Sequence, residues 1–336
     1  MLFTLMNGDD RVFDFVFDED RNAVLEIRTI FDLCRAPIAI WNERVSRFAT
    51  NDTLATLTDR WWKRRGIPSS RFNLKWTKQQ IGYEISQLTT ATCAFSLTDQ
   101  YWARPTGRDL TWETGNFFLN DFDDGIGLVL AGMPGAPDLP SPCSPSSTVD
   151  GNLPKMWHVA PDGTRELFKA GSGIIRQEPF NEVVATRLYE RLLQEGQFVP
   201  YRLERRGKSH YSVCPCFIDA EHEFVTARDL FWADPSSHAT PSFATLTQAA
   251  ENQGASDLIA QLSQIFTLDY ILGNVDRHLS NFGIIRRQSD RSFERCAPIF
   301  DTGLSLLCHG QDGDVDAIKV PANPLLGRQS QQLALV

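Results

Sequence analysis

Asn274-Val-Asp-Arg-His-Leu-Ser-Asn-Phe-Gly283, followed by Ala297-Pro-Ile-Phe-Asp-Thr-Gly303, decides how this chain is read. Transfer of a phosphoryl group asks for a carboxylate that orients or deprotonates the attacking hydroxyl. It also asks for a neutral oxygen ligand for magnesium and a second carboxylate that bridges metal and phosphates. Asp276 and Asn281 stand five residues apart after a predicted helix. That is the Asp-to-Asn spacing of the protein-kinase catalytic loop. Asp301 lies 20 residues beyond Asn281, after a short apolar strand and just before Gly303, where a magnesium-binding Asp belongs. The plainer reading is a polar loop closed by Asx turns. Arg277 and His278 are expected to organise the loop, with His278 buried and holding it by hydrogen bonds.

Outward from these motifs, secondary structure alternates. The runs 155–160 and 165–170 read as two strands joined by the turn Pro161-Asp-Gly163. The run 181–195 reads as a helix with Val184, Leu188 and Leu192 along one stripe, and 197–218 as extended segments. A second helix is predicted over 256–272, with Leu258, Leu262, Ile265, Phe266 and Tyr270 on one face. Short strands at 282–286 and 298–300 bracket the motif region. Strands, a helix, more strands, then helices and a loop is the order of an α+β, bilobal, kinase-like domain.

The wording Asp276-Arg-His-Leu-Ser-Asn-Phe-Gly283 with Ala297-Pro-Ile-Phe-Asp-Thr-Gly303 resembles the HipA-like serine/threonine kinase family. Upstream elements agree with that resemblance. Asp150-Gly-Asn-Leu-Pro-Lys155 is similar to the family's phosphate loop, which makes Gly151 and Lys155 nucleotide-binding candidates. Lys169 matches the ATP-binding strand lysine and Glu182 the helix glutamate that pairs with it. The stretch 213–217, with Cys216, falls where the adenine hinge belongs, and Phe224-Val-Thr-Ala-Arg-Asp-Leu230 also has the family's look. The resemblance covers about residues 146–306. It implies an ATP- and Mg2+-dependent kinase in which Asp276 acts on a protein Ser/Thr hydroxyl, Asn281 and Asp301 hold magnesium, and Lys169 steadies the phosphates. It also implies a toxin of a toxin–antitoxin pair, with a small antitoxin protein as partner. Two readings of Ser146, Ser147 and Thr148 stay open. They are loop hydroxyls that the kinase phosphorylates itself, or plain linker residues. The chain departs from the pattern in two ways. The loop has Gly151 as its one glycine between Ser146 and Lys155, and only about 30 residues follow the Asp-Thr-Gly motif, which points to a short or truncated C-terminal lobe. The alternatives are a lipid or small-molecule kinase and a nucleotide-binding regulatory module with little turnover.

The stretch 132–147, GMPGAPDLPSPCSPSS, holds five prolines, two glycines and four serines and reads as a linker. It separates an N-terminal domain of unassigned role, 1–131, from the kinase domain, 148–336. In the N-terminal region 11–18 alternates as a strand, and 52–65 reads as a helix capped by Asn51 or Asp52, with Leu54, Leu57, Trp61 and Trp62 on one side. The acid-free run 60–83 interleaves Arg60, Lys63, Arg64, Arg65, Arg71, Lys75 and Lys78 with Trp61, Trp62, Phe72 and Trp76. Such a run grips nucleic acid or, as the favoured reading, is an amphipathic helix with core tryptophans and solvated or internally paired charges.

Bulk composition frames these readings. A chain of 336 residues with 42% hydrophobic content has room for two domains with proper cores. Its net charge of −9 argues against a surface that binds nucleic acid or anionic membrane directly. No apolar run approaches the roughly 20 residues of a membrane-spanning helix. The start, Met1-Leu-Phe-Thr-Leu-Met6, lacks the basic opening of a signal peptide. Seven irregularly spaced cysteines fit free thiols in the cytoplasm, and Cys214-Pro-Cys216 does not have zinc spacing.

Overall fold

The computed structural model describes residues 1–71, 74–237 and 241–308. They form a mixed α/β fold of three antiparallel-type sheets and ten α-helices among the described residues. The chain divides into two compact units. The first runs from Met1 to Lys169 and takes in Arg206–Lys208 and Ile218–Glu223. The second holds Ala170–Arg205, Ser209–Phe217 and the chain from Phe224 onward. The change of composition at 132–147 and the division at Lys169 therefore fall at different places. No helix among the described residues is long and apolar enough to cross a membrane.

The first unit opens with strands β1 (Leu2–Asn7), β2 (Asp10–Asp18) and β3 (Ala23–Ile30), then helices α1 (Glu43–Ser46), α2 (Asn51–Arg64), α3 (Leu74–Ile81) and α4 (Gln87–Ala91). Strand β4 (Tyr101–Pro105) and helices α5 (Trp112–Gly115) and α6 (Gly125–Ala131) follow. The sheet order is β3-β2-β1-β4, with antiparallel pairs throughout. Alternation places Phe3, Leu5, Phe13, Phe15 and Phe17 in the core with Leu54, Trp61 and Trp62 of α2. The Trp62 ring lies 4.7 Å from Phe17 and 5.8 Å from Phe3. Each such side chain contributes about 1.5–3 kcal/mol by leaving water. Thr50, not Asn51 or Asp52, caps α2, its hydroxyl accepting from Thr53 N at 3.1 Å. A smaller cluster joins Ile67, Ile81 and Leu88 to Ile126, Val129 and Leu130 of α6.

Part of the basic run packs or pairs within this unit. Trp61 and Trp62 are buried, Arg65 forks onto Asp99 at 2.7 and 2.8 Å, and Lys63 and Lys78 pair with Asp59 and Glu84. Trp76 is half exposed, and Phe72 lies outside the described residues. The proline-rich stretch is exposed over much of 132–143. It ends in a buried 3-10 turn, Pro145–Thr148, whose hydroxyls are all bonded. Ser146 Oγ accepts from Trp157 N, Ser147 Oγ donates to Pro142 O, and Thr148 Oγ1 donates to Phe95 O. Strands β5 (Lys155–Val159) and β6 (Arg165–Ala170) then form the predicted hairpin around Gly163, at φ +88°.

The second unit contains α7 (Glu178–Leu192), the neighbouring strands β7 (Arg202–Arg206) and β8 (Ser209–Pro215), and a sheet of order β11-β10-β9. These last strands are β9 (His222–Thr226), β10 (Gly283–Arg287) and β11 (Phe293–Cys296). Helices α8 (Ala227–Ala233), α9 (Phe243–Asn252) and α10 (Asp257–Leu272) complete it. Helix α10 buries Leu258, Leu262, Ile265 and Phe266 as its periodicity requires, while Tyr270 is only half-buried. It stops at Gly273, left-handed at φ +63°. Two expectations change. The predicted strand at 298–300 is a single parallel bridge, Phe198 to Ile299. The stripe Val184, Leu188, Leu192 is not the buried face of α7, since Val184 and Leu192 are exposed. The buried face is Glu178, Asn181, Glu182, Ala185, Thr186 and Tyr189, and its partners are polar.

Candidate active site

The loop after α10 is organised by one buried guanidinium. Arg277 is 1% exposed. Its Nε and Nη2 donate to the two carboxylate oxygens of Asp269, in the last turns of α10, at 2.9 and 3.0 Å. Its Nη1 donates to Asn281 O at 2.8 Å and to Phe300 O at 2.6 Å. One side chain thus ties the helix, the Asp276–Asn281 loop and the residue preceding Asp301. Burial alone would lower the guanidinium's pKa, but the Asp269 carboxylate outweighs it and holds the pKa above its ordinary value. Asn274 supports the same node, donating from Nδ2 to Asp269 at 2.8 Å and accepting from Asp276 N at 3.2 Å.

Asp276 and Asn281 are brought together: Asn281 Nδ2 donates to Asp276 O at 3.1 Å, and Asn281 N donates to His278 O at 2.8 Å. Asn281 is buried and Asp276 half-buried. His278 is exposed, contrary to expectation, though its Nδ1 accepts from Ser280 N at 3.2 Å. The buried organiser is Arg277. Gly283 ends the motif for a steric reason, because a Cβ there would overlap the Val225 carbonyl on β9.

Asp301 is half-buried at φ +59°, a left-handed conformation that is unfavourable for a non-glycine residue. Its amide faces the Tyr201 hydroxyl at 3.5 Å, and burial pushes that phenol's pKa up. The following residues dock onto α7. Thr302 N donates to Glu182 Oε2 at 2.9 Å, Asn181 Nδ2 donates to Gly303 O at 2.8 Å and Ser305 O at 2.7 Å, and the Tyr189 hydroxyl lies 3.1 Å from Thr302 Oγ1. Glu182 is thereby joined to the Asp301 motif. The hinge candidate Cys216 is a thiol outside any disulfide just past β8, and its neighbour Phe217 packs on Phe300 at 5.3 Å and Phe224 at 5.6 Å. These residues, with Asp276, Asn281 and Asp301, belong to the second unit.

Gly151, Lys155 and Lys169 belong to the first unit. Lys155 and Lys169 are directly opposed on β5 and β6, so both side chains leave the same face, and both are buried. Gly151 sits at φ +98°, a conformation that strains any other residue, with the flexible Lys155 ammonium close by. Ser146, Ser147 and Thr148 are bonded and buried rather than presented at a loop tip. Sequence reasoning missed Asp269, Asn274, Asn181 and Arg71. Asn274 heads the quoted motif and Arg71 stands in the basic run, though without a role, and Asp269 stands out as an acid among the buried positions of an otherwise apolar helix.

Among solved structures, the chain is similar to HipA from a Shewanella oneidensis MR-1 toxin–antitoxin system, solved as a complex of HipA, HipB and operator DNA. Identity is 13%, the TM-score 0.53, and the match covers 89% of this chain and 75% of that one. This likeness shows a HipA-like fold. The chain is also similar to CtkA, a Helicobacter pylori proinflammatory kinase, at 22% identity and TM-score 0.43, over 48% of this chain and 57% of that one. The chain thus spans little more than half of CtkA's length. No protein-family model matches the chain, and no curated protein does.

Proposed function

We propose that this chain is an ATP- and Mg2+-dependent kinase that transfers the γ-phosphate to a Ser or Thr hydroxyl of a protein. The observation that carries this reading is the buried Arg277, which fixes the Asp276–Asn281 loop and the approach to Asp301 to one anchor, Asp269. Phosphoryl transfer is mostly positioning and charge compensation, and a loop held this way supplies positioning. The donor set fits magnesium. Asn281 spends Nδ2 on Asp276 O, which leaves Oδ1 as a hard oxygen donor, and Asp301 adds a carboxylate. Among the described residues no group of three or more His, Cys, Asp or Glu forms a metal cage. This suits Mg2+, which keeps water and phosphate ligands and asks for one or two carboxylates. Bound Mg·ATP would supply the transferable phosphoryl group and positive charge near its oxygens. In this reading the Asp276 carboxylate orients the acceptor hydroxyl and takes its proton, and Lys169 steadies the phosphates with help from Lys155 and Gly151. Glu182 holds the Asp301 segment in register, and Cys216 lies at the adenine hinge.

A HipB-type antitoxin is the partner this reading assigns, with any DNA contact left to that partner, and the cytoplasm is the compartment it assigns. A second reading has one observation in its favour. Gly151 N already donates to Asp150 Oδ1 at 2.6 Å, so the loop's one glycine amide is engaged, as suits a nucleotide-binding module with little turnover. A γ-labelled ATP assay separates the two, with Asp276→Ala and Asp301→Asn as variants. Asp276→Ala should abolish transfer and leave nucleotide binding within about threefold, while Asp301→Asn should weaken Mg·ATP binding as well. Binding without transfer by the wild type supports the module. Labelled lipid or metabolite in place of protein redirects the substrate class. Near-normal transfer by both variants refutes the site.

A further inference from the structure

The segment Ser70-Arg71 reaches the main chain of the proposed phosphate loop, some 80 residues later in sequence, and both belong to the first compact unit. Arg71 Nε donates to Gly151 O at 2.9 Å, and Nη2 donates to Val149 O. Ser70 Oγ donates to Asn152 Oδ1 at 2.6 Å. Arg71 is 4% exposed, a depth at which charged side chains are rarely found without a specific task. Its third branch, Nη1, is buried with no hydrogen-bond partner.

We infer that Arg71 is a positioning residue for the phosphate loop, clamping the carbonyls of Val149 and Gly151 so that the N-terminal segment sets the affinity for nucleotide phosphate. The inference rests on the kinase reading for the nucleotide and on geometry alone for the clamp. Two carbonyls on one planar fork fix the Val149–Asp150 and Gly151–Asn152 peptide planes, and so constrain the Asp150–Gly151 peptide between them. Gly151, at φ +98°, is held otherwise by its own amide, which donates to Asp150 Oδ1 at 2.6 Å, and glycine crosses φ/ψ space at little cost. Burial lowers the Arg71 pKa to about 10 even with the Asp150 carboxylate beside it raising it, so the side chain stays cationic at neutral pH. An unpaired charged donor at such depth is costly, and Nη1 lacks one acceptor of the kind a phosphate oxygen provides. Lysine cannot replace this geometry, because an ammonium does not present a planar fork.

The test uses the full chain with Arg71→Lys, Arg71→Gln and Ser70→Ala. The readouts are kcat and KM for ATP, binding of a fluorescent ATP analogue, the melting temperature, and amide hydrogen exchange over 149–155. Arg71→Lys should raise KM and Kd for ATP by about tenfold or more, the scale of one charge-assisted hydrogen bond, with kcat changed by less than about threefold. Exchange over 149–155 should quicken while the β1–β4 sheet is unaffected. Ser70→Ala, which removes one hydroxyl at an exposed position, should give the same pattern more weakly. An apparent kcat that falls with the folded fraction while KM and Kd for ATP stay unchanged, or exchange over 149–155 unchanged, overturns the clamp. If the wild type binds no nucleotide, the kinase reading fails and hydrogen exchange alone judges the clamp. If Arg71→Gln does not fold, Arg71→Lys and Ser70→Ala still decide.

Discussion

Replacing Asp269 by Asn is the sharpest perturbation this architecture offers. The side chain keeps its size and one carbonyl oxygen but loses its charge, leaving Arg277 cationic at 1% exposure. In the intact protein Arg277 donates two bonds to Asp269, and Asn274 donates a third to the same carboxylate. Breaking a buried ion pair by removing one partner costs about 3–5 kcal/mol, because the remaining charge is uncompensated. The oxygen that Asn retains puts the expectation at the lower end, about 3 kcal/mol. Against total stabilities of about 5–15 kcal/mol that is a large share. It corresponds to a melting temperature lower by about 6–12 °C for a unit of about 150–250 residues. Urea titration should show a lower midpoint at constant slope. The apolar double variant, Asp269→Leu with Arg277→Met, should recover only part of the loss, since the carbonyls of Asn281 and Phe300 then lose the donor Nη1. A cost below about 1 kcal/mol for Asp269→Asn, or full recovery in the apolar double variant, would refute the view that this node holds the loop.

Two further outcomes follow from the geometry. Asp301→Gly should stabilise the chain by about 1 kcal/mol in the same titration, because glycine adopts φ +59° without steric penalty, and it should lose phosphate transfer; a destabilised variant would show that the side chain's contacts outweigh the strain. Limited proteolysis should cut first within 134–141, where Leu139 is 81% exposed, and spare 144–148, where every residue is buried; first cuts at 144–148, or inside α7 or α10, would contradict this packing.

Reading the sequence singled out Asp276, Asn281 and Asp301 from residue types at short spacing in a loop, the pattern that the proposed phosphate transfer asks for. It also located the β5–β6 hairpin, whose Pro161-Asp-Gly163 turn is a local signal. What it missed is non-local. Asp269 is eight residues from its partner, Asn181 more than 120 from the carbonyls it serves, and Arg71 about 80 from the loop it holds. The proline- and serine-rich composition of 132–147 reads as a spacer, with Ser146 and Ser147 open between linker residues and phosphorylated loop hydroxyls. Yet its last residues pack, because their hydroxyls satisfy main-chain groups such as Trp157 N and Pro142 O.

Helix α7 shows why amphipathic pattern failed where the site begins. An apolar stripe predicts the buried face only when the neighbour is apolar. Here the neighbour is the irregular segment 301–305, whose amide at Thr302 and carbonyls at Gly303 and Ser305 cannot pair within any strand or helix of their own. Leaving them unpaired would cost about 1–3 kcal/mol each. The helix therefore turns Asn181 and Glu182 inward, giving two donor bonds and one acceptor, and leaves Val184 and Leu192 in water. A segment that must hold a left-handed Asp301 cannot be regular, and an irregular segment that is also buried needs polar side chains to complete its hydrogen bonds. The apparent misplacement of hydrophobic residues on α7 is thus a consequence of the backbone geometry at the proposed metal-binding carboxylate.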